Sequence, residues 1–222
     1  GITIATQSLG TFLSVFLSTM TGYVLSRQDF PWREKVSFYF FFTTLFNGGL
    51  VRGTVDYAIS RIENNILALI LPMLFSVWNM IIAKTFMKGI PASITESGTI
   101  DGATDFRIFF SLILPLSKPL LATLSLFSAI AYWNDWYNCM LFISNDKLFT
   151  LQYYLQRMLG SASAMRMVAE NGNGNGLIPL SSMQMAMTVI ATGPIILLYP
   201  FIQKYFVKGL TLVSKGIKIV AL

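Results

Sequence analysis

Few side chains in this sequence could do covalent or acid–base chemistry. The 222 residues include one cysteine, Cys139, and no histidine. A disulfide within the chain, a zinc site of the Cys/His type and acid–base catalysis by histidine are therefore excluded. The sequence also lacks the Gly-x-x-x-x-Gly-Lys-Ser/Thr loop that holds nucleotide phosphates. We predict no catalytic residue and no metal site, and we expect any ATP hydrolysis to occur in another chain.

One short segment combines aromatic rings with polar groups that could contact a solute. It includes Asp135, the only acid that we place within an apolar span, and burying such a group unpaired costs several kcal/mol. Aromatic faces beside amide and carboxyl groups also suit sugars. The alternative is structural, since Trp and Tyr gather at membrane interfaces and Asp135 could pair with another helix. The candidate substrate-path residues are Trp133, Asn134, Asp135, Trp136, Tyr137 and Asn138.

The elements that must position this segment are apolar helices. The chain is 54% hydrophobic and 12% charged, whereas soluble domains carry about 25% charged residues. A bilayer core about 30 Å thick needs about 20 apolar residues in a helix. The sequence therefore predicts an all-α membrane protein with one transmembrane domain over residues 1–222. Its five predicted spans are 2–26, 36–51, 65–87, 119–144 and 181–207. In the first span, small residues are expected to allow close helix packing: Ser14, Ser18, Thr21 and Gly22.

The positive charges predict how the chain is oriented. The net charge is +6, but the basic residues lie between the apolar runs and do not form the stripe expected of a nucleic-acid-binding surface. If the first span starts outside, eleven of the sixteen Lys and Arg residues lie in inner loops. This places the C-terminus and residues 88–118 in the cytoplasm. Lys204 and Lys208 are then expected to meet anionic lipid headgroups.

The cytoplasmic segment 88–118 is predicted to form a helix–turn–helix. Ser93 and Glu96 have the spacing of a capping box at the start of a helix over 92–101. Gly102 permits a sharp turn, and Asp105 could cap the second helix. The charged residues Glu96, Asp101 and Arg107 form a small exposed group. The alternative is an ordinary amphipathic connector at the membrane surface. The second helix would present one apolar face, formed by Phe106, Phe109, Phe110 and Ile113.

The outer segment 145–180 is predicted to be a long loop. It contains the tract NGNGNG at 171–176, which is flexible and cannot form a packed element. A loop of this length inside a compact protein is usually functional or disordered. Both a passive mobile loop and a contact with a partner remain open.

The cytoplasmic segment resembles the EAA motif of permease subunits in binding-protein-dependent ABC importers. That motif has Glu-Ala-Ala, three residues, Gly, nine residues and then Ile-x-Leu-Pro. Here Glu96 opens the motif, Gly102 follows at the family spacing within a typical Asp101-Gly102-Ala103 triplet, and Leu114-Pro115 closes it. The departures from the family pattern are Ser97 and Gly98 for the two alanines and Leu112 for isoleucine.

The remainder of the chain resembles the carbohydrate branch of that family. It is similar to maltose-transporter permeases and, within the branch, to permeases for complex oligosaccharides. The matching stretches are Tyr23–Arg27 followed by Phe30-Pro31, Trp133-Asn134, Leu151–Leu155, Tyr199-Pro200 and Lys208-Gly209. The resemblance implies a type I ABC importer permease fold, which usually has six spans. One N-terminal span is therefore expected before Gly1.

The resemblance also implies partners and residue roles. The chain would sit in a bacterial plasma (inner) membrane and form half of a sugar path with a second homologous permease. Two ATPase subunits, which use ATP and Mg, would drive alternating access, and an extracytoplasmic binding protein would deliver the sugar. The implied ATPase-coupling residues are Glu96, Ser97, Gly98, Asp101, Gly102, Ala103, Arg107, Leu114 and Pro115. The implied binding-protein contacts are Gln152, Tyr153, Tyr154 and Gln156.

Three alternatives use the same observations differently. A permease of this architecture could carry a phosphorylated or amino-acid-like solute. An intramembrane enzyme would need a nucleophile–base pair or metal ligands in the spans, which the sequence does not offer. A channel would have no need of the thirty-residue cytoplasmic segment.

Overall fold

The computed structural model describes residues 1–46, 62–171, 181–194 and 196, and each regular element in these ranges is helical. We number the α-helices in chain order. They are α1 (Ile2–Ser26), α2 (Arg33–Leu45), α3 (Ile66–Ile70), α4 (Val77–Lys88), α5 (Ala92–Ile100), α6 (Asp105–Ile108), α7 (Leu114–Leu116), α8 (Lys118–Trp133), α9 (Tyr137–Phe142), α10 (Leu151–Asn171) and α11 (181–194). Tighter or wider turns connect some of them, namely 3₁₀ turns at Leu71–Met73 and Asp146–Leu148 and a π turn at Phe109–Ile113.

Helix α1 is the centre of the fold and packs against α4 and α8. Gly22 lies so close to α4 that an added Cβ atom would be 2.5 Å from the Cβ of Ala83. A Cβ atom added at Gly10 would likewise be 2.5 Å from the ring of Tyr132 on α8. Ser14 and Ser18 are almost fully buried. The predicted close packing of small residues along α1 is therefore confirmed at Ser14, Ser18 and Gly22, while Thr21 is half-buried.

A buried polar chain joins the same three helices. The side-chain amide of Asn79 on α4 donates to Ser128 Oγ on α8 at 3.1 Å, and that hydroxyl donates to Ser14 Oγ on α1 at 3.4 Å. Hydrogen bonds between helices are a main source of helix association where the surroundings are apolar. These two hydrogen bonds therefore help to set the register of α1, α4 and α8.

In the described ranges, α1 alone is long and apolar enough to cross a membrane as one straight helix. Two bent pairs pass the same test together: 66–73 with 77–88, bent by 51°, and 105–116 with 118–133, bent by 83°. The count of possible spans there is thus one, or up to three if each bent pair crosses as a unit.

The helices divide two predicted spans. Residues 65–87 are interrupted after the 3₁₀ turn that holds Pro72, and Ser76 then caps α4 by accepting from the Asn79 backbone amide at 3.3 Å. Residues 119–144 are interrupted at 134–136, and Asp135 accepts from the Asn138 amide just before α9 begins at Tyr137. Ser76 caps the helix after the first break, whereas the second break falls on the polar residues Asn134 and Asp135.

The remaining predicted boundaries also differ from the helices. Helix α2 begins at Arg33 and ends at Leu45, before the predicted end of the span 36–51, and residues 47–61 lie outside the described ranges. The predicted span 181–207 is helical over 181–194, and its end lies outside them too. The expectation of a loop over 145–180 is wrong for most of that segment. Helix α10 occupies Leu151–Asn171, since its sequence is rich in Leu, Gln, Met and Ala, which favour helices.

Candidate functional site

A helical hairpin formed by α5 and α6 carries most of the residues singled out by the sequence. Gly102 has φ of +75° and ends α5 in the left-handed conformation. The Ala103 amide donates to the Gly98 carbonyl and the Gly102 amide to the Thr99 carbonyl, each at 3.0 Å. This pair of bonds is the Schellman motif, which is typical of a glycine just past a helix C-terminus. The predicted turn at Gly102 is confirmed.

The two helices of the hairpin meet at Gly98. A Cβ atom added there would be 3.0 Å from Ile108 Cγ1 and 3.2 Å from Leu112 Cδ1. The absence of a side chain thus lets α5 approach the second helix closely. Glycine in place of alanine lowers the helix propensity at this position of α5 by about 1 kcal/mol. It also leaves room for the bulky side chains of Ile108 and Leu112 on the opposite helix.

Two predicted helix caps are wrong. Pro91 occupies the N-cap position of α5, and Ser93 lies inside the helix without a side-chain capping bond, so Ser93 and Glu96 form no capping box. At the second helix, Thr104 is the N-cap residue and Asp105 is the first helical residue. Proline fixes the backbone at the entry to α5, which displaces the capping position by two residues from the one predicted.

The predicted apolar face of the second helix is wrong in part. Phe109 and Ile113 are buried, whereas Phe106 is 65% exposed and Phe110 is 44% exposed. Ile108 completes the buried face at 1% exposure. The π turn over Phe109–Ile113 adds a residue to the helical repeat, so the buried side chains no longer follow the spacing of a regular α-helix.

Arg27, just past the end of α1, connects the first long helix to the hairpin. Its guanidinium forms ion pairs with Asp29 in the same loop and with Asp105 at the start of α6. It also lies 5.9 Å from the ring centroid of Tyr23, and that ring packs on Phe109 at 5.2 Å. The bond from Arg27 keeps the pKa of the Asp29 carboxyl below its usual range, and the bond to Asp29 raises the pKa of the guanidinium.

This connection was missed because no local pattern links Arg27 to Asp105, which are 78 positions apart. Beside it, a cavity of about 960 Å³ opens between the end of α1, the turn at 89–91 and one face of α5. Glu96 and Ile100 line this cavity. The hairpin is thus attached to the end of α1 through Asp105, with an open cavity between that end and α5.

The coupling candidates divide by exposure. Ile100, which the sequence did not single out, is 85% exposed at the tip of α5. Gly98 is buried, and Ala103 and Leu114 are half-buried against the core. The exposed candidates on the hairpin and just after it are Glu96, Ser97, Asp101, Gly102, Arg107 and Pro115.

The aromatic–polar segment lies at the break between α8 and α9. Asp135 Oδ1 accepts from both the backbone amide and the side-chain amide of Asn138, each at 3.1 Å. Trp133 is buried, and its indole donates to the Ala191 carbonyl of α11 at 2.9 Å. Trp133, Asp135 and Asn138 therefore make structural contacts within the chain. The exposed members are Asn134, Trp136 and Tyr137.

The candidates for the binding-protein contact lie on the first turns of α10. Tyr154 and Gln156 are exposed. Tyr153 stacks edge-on against Phe149 at 4.7 Å, and the Gln152 side-chain nitrogen is buried without a hydrogen-bond partner among the described residues. Of the four candidates, Tyr154 and Gln156 are therefore placed to face outward.

Comparison with known proteins defines the class. Residues 1–212 match the family described as the binding-protein-dependent transport system inner membrane component. The chain is 40% identical over 207 residues to the polygalacturonan/rhamnogalacturonan transport system permease protein YtcP of Bacillus subtilis (strain 168), covering 93% of this chain and 72% of that protein. It is 33% identical to Protein LplC of the same organism, covering 96% of this chain and 72% of that protein.

A solved structure gives the same result. The chain is similar to a chain of a bacterial ABC transporter involved in the import of the acidic polysaccharide alginate, with a TM-score of 0.78 and 26% identity. The match covers 92% of this chain and 72% of that chain. This protein therefore belongs to the family of binding-protein-dependent inner-membrane transport components. It is an integral membrane transport subunit with the permease fold of an ABC importer.

Proposed function

We propose that this chain is a permease subunit of an ATP-driven importer and forms half of the path for an oligosaccharide. The observation that carries the proposal is the family match over residues 1–212, together with 40% identity to a permease named for polygalacturonan and rhamnogalacturonan. The cargo class that fits these relatives best is an oligosaccharide of pectic type. The partners are a second homologous permease, two ATPase subunits that use ATP and Mg, and an extracytoplasmic binding protein.

The hairpin formed by α5 and α6 is the proposed ATPase contact. Ile100 inserts into an apolar pocket of the ATPase, and Glu96 pairs with a donor beside it. The support is the exposure of Glu96 and Ile100 on α5, the helix that ends at the turn set by Gly102. Rigid attachment matters because a docked element transmits motion only if it cannot swing freely.

Motion of the hairpin reaches the translocation path through α1. The ion pair between Arg27 and Asp105 and the ring contact between Tyr23 and Phe109 join the hairpin to α1. The close contact of Gly22 with Ala83 then joins α1 to α4. In this proposal the hairpin, α1 and α4 move as one body when the ATPases close.

The substrate path and the outer contacts follow from exposure. Asn134, Trp136 and Tyr137 present polar groups and rings at the break between α8 and α9, and we assign them to the sugar path. Asp135 orients this break through Asn138. Tyr154 is assigned to the binding protein together with Gln156. The proposed membrane topology places the hairpin and the C-terminus in the cytoplasm and α10 outside, with five crossings in this chain.

A crosslinking experiment tests the ATPase contact. Ile100→Cys in the complete complex is expected to crosslink to the ATPase with a short thiol reagent, while native Cys139 stays unreacted because it is fully buried. Glu96→Ala is expected to lower ATPase stimulation by the loaded binding protein at least tenfold. Glu63→Ala, an exposed acid proposed to lie on the outer side, is the matched control. Equal activity in both variants and no crosslink would remove the assignment.

A second experiment tests the cargo class. Binding protein loaded with an oligogalacturonide is expected to stimulate ATP hydrolysis by the reconstituted complex, whereas maltodextrin or glycerol phosphate leaves the basal rate unchanged. Stimulation by glycerol phosphate alone would support the non-sugar alternative instead. Asp135→Asn should then alter the uptake rate of the active sugar, because it removes the negative charge that strengthens the two bonds from Asn138.

A further inference from the structure

Helix α2 is poorly covered by the other residues that the structure describes. None of its residues is buried, and Phe38 and Phe41 are 65% and 50% exposed. Ser37 accepts a hydrogen bond from Lys84 of α4, and the Phe40 ring lies 5.1 Å from the ring of Phe75, just before α4 begins. Between the two helices lies a groove of about 380 Å³. The residues that matter for its chemistry are Ser37, Phe38, Phe41, Ile81, Lys84 and Lys88.

The groove is basic at one end. The Lys84 ammonium lies half-buried in it and donates to Ser37 Oγ at 2.6 Å. Lys88 follows one helical turn later on the same side of α4. In the described ranges, no carboxylate is within ion-pair distance of either ammonium, and the nearby Glu34 pairs with Arg33 at 3.8 Å. Two neighbouring cations without a carboxylate favour an anionic ligand from outside the chain.

Side chains at the start of α2 indicate the depth of this basic end in the membrane. Trp32 is 58% exposed, and the Lys35 ammonium lies 4.8 Å from the centre of its ring. Trp and Lys side chains collect at the level of lipid headgroups. Since a helix rises about 1.5 Å per residue, Ser37 lies about 8 Å along α2 from Trp32, and in the proposed orientation this direction leads into the membrane. In that orientation Phe38 and Phe41 lie at the depth of the acyl chains.

We propose that this groove binds one anionic phospholipid of the inner leaflet. Its phosphate accepts hydrogen bonds from Lys84 and Lys88, and one acyl chain lies along Phe38, Phe41 and Ile81. The proposal relies on the proposed orientation, in which the C-terminal end of α4 is cytoplasmic. The charge of the groove selects an anionic headgroup, and its aromatic wall selects a ligand with a hydrocarbon chain. A free phosphate compound would use the lysines alone.

Photo-crosslinking tests this site in the complete complex, purified without substrate. Phosphatidylglycerol with a photoactivatable acyl chain is expected to label the peptide that contains Phe38 and Phe41, and phosphatidylcholine with the same chain to label it weakly. Lys84→Met and Lys88→Met should each reduce the phosphatidylglycerol adduct about fivefold, as expected for loss of one lysine beside an anionic headgroup. Lys147→Met, which removes an exposed lysine from the outer 3₁₀ turn, is the charge-matched control and should leave the adduct unchanged.

Three results would overturn the site. Equal labelling by both lipids would show that charge does not select the ligand. Loss of the adduct on addition of soluble glycerol phosphate would identify a free phosphate ligand. Crosslinks from Phe38 or Phe41 to the second permease, with no lipid adduct, would show that a subunit covers the groove. Labelling is measured without ATP or sugar, so its failure leaves the proposed transport function unaffected.

Discussion

The turn at Gly102 gives the sharpest single-residue prediction. Gly102 has φ of +75°, a conformation in which an L side chain costs about 1–2 kcal/mol. A Cβ atom added there meets no atom within 4 Å, so the cost is conformational and contains no steric term from neighbours. Gly102→Ala should therefore destabilise the hairpin turn by about 1–2 kcal/mol, which makes its local opening about 5 to 30 times more frequent.

Hydrogen exchange measures this opening directly. In the purified complex, the amides of Gly102 and Ala103 close the Schellman motif, so their exchange should accelerate by that factor in Gly102→Ala. Gly102→Asn should exchange more slowly than the alanine variant, because Asn tolerates the left-handed region. Gly102→Val should exchange faster than both, since β-branched residues are disfavoured there.

Gly160 supplies a matched control. It lies within α10, and a Cβ atom added there also meets nothing within 4 Å, but its backbone is helical. Gly160→Ala should therefore stabilise its helix by up to about 1 kcal/mol and slow local exchange. If Gly102→Ala behaved like Gly160→Ala, or if the asparagine variant were no better than valine, the argument from the left-handed turn would be refuted.

Three further predictions concern the attachments of the hairpin and of α1. Gly98→Leu should abolish close packing on Ile108 and lower the thermal midpoint of the complex. Gly98→Ala should be nearly neutral, because the gain in helix propensity offsets a small shift of Ile108; equal midpoints for the leucine and alanine variants would contradict this. Asn79→Leu should cost about 1 kcal/mol in detergent unfolding by removing the bond to Ser128; an unchanged unfolding curve would contradict it. Arg27→Gln should lower ATPase coupling more than ATPase binding. Arg27→Lys should restore coupling only partly, because an ammonium lacks the planar fork that pairs with both Asp29 and Asp105; full restoration by lysine would refute the need for a guanidinium.

The features that the sequence could predict are local ones. Gly102 is recognisable because glycine just past a helix is favoured for a conformational reason that needs no tertiary information. Ser14, Ser18 and Gly22 are recognisable because small residues recur along one apolar helix. The family motif adds the register from Glu96 to Pro115.

The features that it could not predict depend on contacts between distant segments or on competition between local rules. The pair of Arg27 with Asp105 joins residues that are far apart in the sequence. At 134–136 the polar residues Asn134 and Asp135 interrupt a long apolar run, and composition alone does not show that the helix ends there. Pro91 similarly replaced the expected capping box at Ser93, and the π turn over Phe109–Ile113 shifted the buried face of the second helix.

Uptake into proteoliposomes tests the central claim most directly. The complete complex, containing this chain, the second permease and both ATPases, is reconstituted with ATP inside one population of vesicles and outside another, and labelled oligogalacturonide is added with the binding protein. The account predicts accumulation only when ATP is available on the side that the hairpin faces and the binding protein is on the opposite side, and loss of accumulation in Glu96→Ala but not in Glu63→Ala. Accumulation without ATP or without the binding protein, or equal uptake in both variants, would contradict it.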